Sequence, residues 1–122
     1  MNNNRVFINE QGIIEIHVIG DQTVESVQAM GDQTMELARE QQAAGKRALI
    51  VDNLMEMGTV PAEARKRVVD LIKSNEYDRL AMLGNDRMLR MGANLILQAT
   101  GKGNKVKYFE DQESCTAWLL GE

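Results

Sequence analysis

The segment that most constrains the fold is RALIVDNLMEMGTVP, residues 47–61. Its apolar run at 48–51 is followed by the polar step Asp52-Asn53. A short, continuous apolar run bounded by turn residues is typical of a buried strand that ends in a loop. We therefore predict the central strand of an α/β sheet, followed by a loop that leads to Pro61 at the start of a helix. In open α/β sheets, ligands bind most often at this carboxyl end of the strands.

The rest of the sequence predicts an antiparallel hairpin, two further strands and four helices. Apolar, β-branched runs at 6–9 and 13–19 flank a Glu-Gln-Gly turn and indicate an antiparallel hairpin. Three- and four-residue spacing of apolar residues predicts helices, and short apolar runs predict further strands. The predicted elements after the hairpin are a helix from Thr23 to Gly45, the strand 48–51, a helix from Pro61 to Ile72, the strand 80–83, a helix from Asp86 to Thr100, an edge strand at 105–109 and a helix at 112–120.

This element order, ββαβαβαβα, predicts the fold class. We expect an α/β protein with a mixed sheet of about five strands packed with four helices, and right-handed crossovers between parallel strands. With 122 residues and no linker or repeat, the chain is expected to form a single domain over residues 1–122.

Composition excludes several classes of function. The net charge of −4 gives no electrostatic footprint for nucleic acid. One histidine, His17, and one cysteine, Cys115, are too few for a metal cluster or a catalytic triad, so we expect no metal, no cofactor and no enzymatic activity. The polar start MNNNRVFI lacks the apolar core of a signal peptide, and no run is long enough to span a bilayer, so we expect a cytoplasmic protein that is not integral to a membrane.

The element order resembles the STAS superfamily, the fold of bacterial anti-anti-sigma factors. More narrowly, VKYFEDQESCTAWL at 106–119 resembles the end of the SpoIIAA-like family, in which a strand ending in Phe-Glu leads into a helix carrying Ala-Trp-Leu. This resemblance implies a regulatory or binding module rather than an enzyme. The family also resembles the CRAL-TRIO lipid-transfer domains in fold, which implies an apolar ligand.

Anti-anti-sigma factors carry a phosphorylated serine near the start of the helix after the central strand. This sequence reads EMGTVP at 56–61, without the family's Asp-Ser-Ser-Gly motif, so Thr59 is the nearest hydroxyl. The resemblance therefore implies Thr59 as the phosphate acceptor of a partner switch. The residue itself is also well suited to a simple helix cap.

Methionines supply the best candidate site. Two follow the central strand and two begin the third helix, and the predicted fold brings both pairs to the carboxyl end of the sheet. Flexible, polarisable methionine side chains recur at adaptable binding surfaces. Together with nearby polar residues they predict a ligand or partner site formed by Asp52, Asn53, Met55, Met57, Thr59, Asp86, Met88 and Met91.

Three hypotheses of function follow. The first is a non-enzymatic STAS-like module that binds a partner protein or a small, apolar, lipid-like ligand at this site. The second is a phosphorylation-controlled partner switch that acts through Thr59. The third is an enzyme that uses Asp52, Glu56 and Asp86 as acid and base, although no motif singles these carboxylates out. The broad apolar surface of the third helix also predicts a homodimer.

Overall fold

A five-stranded sheet, with its strands side by side in chain order, forms the centre of the fold. The computed structural model describes residues 3–101 and 103–121, without the side chains of Met88 and Leu89. The elements are β1 (Arg5–Ile8), β2 (Ile14–Gly20), α1 (Val24–Ala43), β3 (Leu49–Met57), α2 (Ala62–Ser74), β4 (Arg79–Leu83), α3 (Arg87–Thr100), β5 (Val106–Phe109) and α4 (Gln112–Leu120). β1 is antiparallel to β2, and the other neighbours are parallel. The predicted mixed α/β fold is confirmed.

Strand β3 is central and is covered on both faces. Ile50 and Leu54 face a core shared with α1, α2 and α3. Leu49 and Val51 face a second core that includes Cys115 and Leu119 of α4. Side chains alternate between the two faces of a strand, so an unbroken apolar run is what a strand between two helix layers requires.

The prediction that the central strand ends at Val51 is wrong. β3 continues for six more residues, because the seven-residue strand β2 pairs with it as far as Gly20 opposite Met57. The register shifts between His17 and Ile19, which marks a bulge. Residues 52–57, predicted as loop, are therefore strand, and backbone pairing has overridden the turn preference of Asp52-Asn53.

Three helix ends follow local sequence signals. Thr23 caps α1, its side chain accepting the backbone N–H of Ser26 while the Ser26 hydroxyl accepts that of Thr23. Gly45 follows α1 with a φ of 78°, the left-handed conformation that glycine adopts most easily. Asp111 caps α4 by accepting the Ser114 N–H at 2.8 Å.

The alternative role of Thr59 as a helix cap is wrong. Pro61 is the residue that precedes α2, and no side chain caps that helix end. Thr59 instead donates its backbone N–H to Asp21 Oδ1 at 2.8 Å, and its carbonyl accepts the Gln22 N–H at 2.9 Å. These bonds tie the end of β3 to the turn between β2 and α1.

Among the described residues, no helix is both long and apolar enough to cross a membrane.

Gly58 provides a test of the contact between β3 and the β2–α1 turn. A Cβ on Gly58 would overlap Asp21 Oδ1 and would lie 3.0 Å from the Asp21 backbone nitrogen. We expect Gly58→Ala to lower the free energy of unfolding by about 1–3 kcal/mol, since the turn must move to accept the methyl group. Urea denaturation followed by circular dichroism measures this change.

Gly92 in α3 gives the matched control, because a Cβ there meets no atom within 4 Å. Gly92→Ala should raise the free energy of unfolding by up to about 1 kcal/mol, as alanine favours a helix interior. Equal effects of the two substitutions would contradict the close approach at Gly58.

A candidate apolar ligand site

A cavity of about 800 Å³ lies between the sheet and the layer formed by α1, α2 and α3. Its floor is the face of the sheet that carries Ile16, Ile50 and Met82, and its walls include Val27 of α1 and Ile72 of α2. Most of its lining is aliphatic or methionine side chains. Small-molecule sites in proteins typically measure about 300–1,000 Å³ and are mainly apolar, so the cavity has the size and character of one.

The cavity opens to solvent beside the carboxyl ends of β3 and β4. Two of its lining residues, Met55 and Leu95, are exposed by 38% and 66%. Exposed Arg65 and Lys66 of α2 also line it, as does Asp86 in the turn before α3. The entrance is therefore partly apolar and carries both signs of charge.

Methionines are concentrated around this space. At least five of the eight in the chain line it, namely Met30, Met35, Met55, Met57 and Met82. Methionine has three rotatable bonds and a polarisable sulfur, so it packs against ligands of different shapes. The lining can therefore adapt to a guest more readily than one of β-branched residues.

Asp52 places a carboxyl group in this apolar space. It follows the buried Ile50 by two residues on β3, which puts its side chain on the cavity face. Its Oδ1 is shielded from solvent and has no hydrogen-bond partner among the described residues. Burial raises the pKa of Asp52 to about 7, because the apolar surroundings disfavour the charged form. Both protonation states are therefore populated near neutral pH.

The buried polar side chains that line the cavity are hydrogen-bonded within the protein. Thr34 donates to the Met30 carbonyl at 2.7 Å, and the Tyr77 hydroxyl donates to the Ile72 carbonyl at 3.1 Å. The Gln22 amide donates to the carbonyl of Gly20 at 2.9 Å. Compared with these three side chains, the half-buried Asp52 has a shielded oxygen, Oδ1, that makes no hydrogen bond among the described residues.

The structure brings together four of the eight residues predicted from the sequence. Asp52, Met55, Met57 and Asp86 all line the cavity. The side chain of Met88 lies outside the described residues.

The other three predicted residues lie elsewhere. Asn53 is on the opposite face of β3 from Asp52, and its Oδ1 accepts the Met55 N–H at 3.0 Å. Thr59 is occupied with Asp21, as described above. Met91 is 60% exposed on α3 and is not part of the cavity lining, although Leu95, one turn later, is.

Sequence reasoning missed the lining contributed by the interior of the core. Met30, Met35 and Met82 were indistinguishable from ordinary core residues, because helical or strand periodicity shows which face is buried but not whether the space against it is filled. Arg65 and Lys66 also line the cavity, but as a basic pair they are typical of a solvated helix face, and nothing in the sequence relates them to an apolar cavity.

The two residues with nucleophilic potential lie apart from this site. Cys115 is fully buried against the other face of the sheet, and burial raises the pKa of its thiol to about 11. His17 lies on β2, where its Nε2 is 2.9 Å from Glu15 Oε1. Across the described residues, no group of three or more His, Cys, Asp or Glu side chains is arranged to hold a metal ion.

The raised pKa of Asp52 predicts a pH dependence of stability. A carboxyl group whose pKa is higher in the folded than in the unfolded state destabilises the fold as the pH rises from its unfolded value, 3.8, through about 7. Asp52→Asn removes the ionisation. The difference in unfolding free energy between the variant and the wild type should therefore grow in favour of the variant, by about 2 kcal/mol from about pH 5 to pH 8. Urea titrations across this range measure the difference.

Asp21 and Asp111 do not obscure this signal. Hydrogen bonds from Thr59 and Ser114 lower the pKa values of these two carboxyls, so their contribution to stability is lost only at lower pH. A stability difference between Asp52→Asn and wild type that does not change with pH would contradict the burial of the Asp52 carboxyl.

Comparison with known proteins places the fold in a family. A search of curated proteins finds no match to this sequence. One solved structure with similar architecture is an uncharacterized protein with a SpoIIAA-like fold from Shewanella loihica PV-4, at a TM-score of 0.65 and 19% identity over 96% of this chain and 92% of that one. The SpoIIAA-like family model matches residues 13–120, which include all of the cavity-lining elements. The chain therefore belongs to the SpoIIAA-like family.

Proposed function

We propose that this protein is a non-enzymatic binding module that holds a small apolar ligand between its sheet and helices α1, α2 and α3. The observation that carries the proposal is the cavity of about 800 Å³ with its aliphatic and methionine lining. A well-packed interior has few spaces larger than a water molecule. An apolar space of this size that opens to solvent leaves apolar surface in contact with water, and a ligand that covers this surface stabilises the protein.

The cavity supplies binding energy chiefly through the hydrophobic effect. Each methylene group transferred from water to such a site contributes about 0.8 kcal/mol before the entropic cost of binding. Met55 and Leu95 at the entrance give an apolar path inward. The ligand is therefore expected to be mostly hydrocarbon.

A catalytic role for Asp52, Glu56 and Asp86 is less well supported. Glu56 is exposed and is not part of the cavity lining, so the three predicted carboxylates do not form one site among the described residues. A general acid or base must lie within hydrogen-bond reach of the proton that it transfers, so carboxylates that do not converge cannot act on one substrate together. A pocket with a single buried carboxyl supports binding better than catalysis.

The phosphorylation switch is also less favourable at Thr59. A phosphate there would lie next to the Asp21 carboxylate, which already accepts the Thr59 N–H. The phosphate and the Asp21 carboxylate would repel each other. This repulsion would weaken the hydrogen bond from the Thr59 N–H to Asp21, which joins the end of β3 to the β2–α1 turn. The absence of the Asp-Ser-Ser-Gly motif of anti-anti-sigma factors at 56–61 also argues against this switch.

Binding to a partner protein, including a second copy of the chain, would use the exposed surface of α3, which reaches the cavity entrance at Leu95. Met91 and Leu95 are the two most exposed large apolar residues of the described part, at 60% and 66%. They lie one turn apart on α3 and can meet a partner together. The predicted homodimer would be built here, and sedimentation at micromolar concentration tests it.

Paired substitutions distinguish ligand binding in the cavity from binding at the exposed surface of α3. Met57 lines the cavity, whereas Met91 does not. Met57→Glu should weaken binding of the neutral fluorescent probe N-phenyl-1-naphthylamine at least about tenfold, because a carboxylate at an apolar site is costly to desolvate. Met91→Glu, the matched control, should leave probe affinity unchanged.

Probe fluorescence titration measures both affinities, and circular dichroism verifies that each variant is folded. Two results would contradict the cavity as the binding site. One is that the wild-type protein does not bind the probe, and the other is that Met91→Glu loses probe binding while Met57→Glu retains it.

A further inference from the structure

Asp52 gives the cavity a polar point at which a ligand can be recognised. From the position of its unpartnered Oδ1 inside an apolar space, we infer that the ligand is a neutral hydrocarbon bearing a hydroxyl group, which hydrogen-bonds to Asp52. This inference rests on the proposed function, because it names the chemical class of the molecule that the cavity holds. It adds a specific polar contact to a site otherwise lined by apolar groups.

Among the described residues, no group donates a hydrogen bond to Asp52 Oδ1. The buried polar side chains that line the cavity, those of Gln22, Thr34 and Tyr77, donate to backbone carbonyls. A buried polar atom without a partner costs about 1–3 kcal/mol, and a ligand that bonds to it recovers this energy. Binding therefore favours a molecule with one polar group placed at the depth of Asp52.

The chemistry of a carboxyl group near its pKa selects among polar groups. Near neutral pH Asp52 exists in both forms, since burial raises its pKa to about 7. A hydroxyl donates to the carboxylate and accepts from the carboxylic acid, so it suits both states. An ether or ketone only accepts and suits the protonated form, whereas an ammonium only donates and suits the ionised form.

The other charged groups of the cavity argue against a cationic ligand. Arg65 and Lys66 line the cavity on α2 and repel a cation that enters, and Asp86 lies in the turn that precedes α3. Burial is the cause of the raised Asp52 pKa, with no compensating contribution from these charges or from Tyr77. A neutral ligand enters without this repulsion and without the cost of desolvating a charge.

Two isomeric probes test the inference. 1-Decanol and methyl nonyl ether have the same atoms, but only the alcohol donates a hydrogen bond. Each displaces N-phenyl-1-naphthylamine from the cavity if it binds there. In the wild-type protein at neutral pH we expect the alcohol to bind about tenfold more tightly than the ether, the value of one buried hydrogen bond.

Asp52→Leu is the decisive variant, because it keeps the cavity apolar and removes the carboxyl. The ratio of the two affinities should fall to about one in this variant, as in a double-mutant cycle. Equal binding of alcohol and ether by the wild type would overturn the inference while leaving the proposed function intact. Failure of both probes and of the fluorescent probe to bind would instead overturn the proposed function.

Decylamine supplies a third comparison with the same chain length. It should bind more weakly than 1-decanol, because its ammonium group meets Arg65 and Lys66 at the cavity and must lose its hydration. Tighter binding of the amine, lost in Asp52→Leu, would overturn the hydroxyl assignment in favour of a cationic ligand.

Discussion

The side-chain alternation of β3 determines both what holds this fold together and where its candidate site lies. Leu49 and Val51 bury against α4, while Ile50 and Leu54 bury against the other three helices. The same two-residue period places Asp52 on the face that α1, α2 and α3 cover, together with Ile50. A shift of one residue in register would move Asp52 to the α4 side and Val51 into the cavity. The strand thus fixes the polar group of the site by the same rule that forms the core.

The unequal filling of the two faces distinguishes structural from functional packing. On the α4 face, Cys115 and Leu119 are fully buried against Val51. On the other face, three helices cover the sheet but leave a cavity of about 800 Å³. On this face α1 packs against α2 and α2 against α3, and methionines line the space between these helices and the sheet. An adaptable binding site is consistent with this looser face.

The sequence predicted the element order well because each element carries a strong local signal. Thr23, Gly45 and Asp111 mark helix ends, and the resemblance at 106–119 agrees with the family match. It failed at residues 52–57, where a turn-forming Asp-Asn step is held in a strand by pairing with β2. The cavity could not be predicted either, since its volume depends on distances between helices that are far apart in sequence. Apolar periodicity on α3 likewise could not show that Met91 and Leu95 stay exposed.

The signals of the methionine methyl groups report directly on whether the space between the sheet and α1, α2 and α3 binds an apolar ligand. In a protein with carbon-13-labelled methionine methyls, NMR spectra recorded during addition of 1-decanol report on each methionine separately. We expect the signals of the buried Met30, Met35 and Met82 to shift and that of Met91 to stay in place. Shifts confined to Met91, or no shift at all with 1-decanol in excess, would show that the cavity does not bind the ligand.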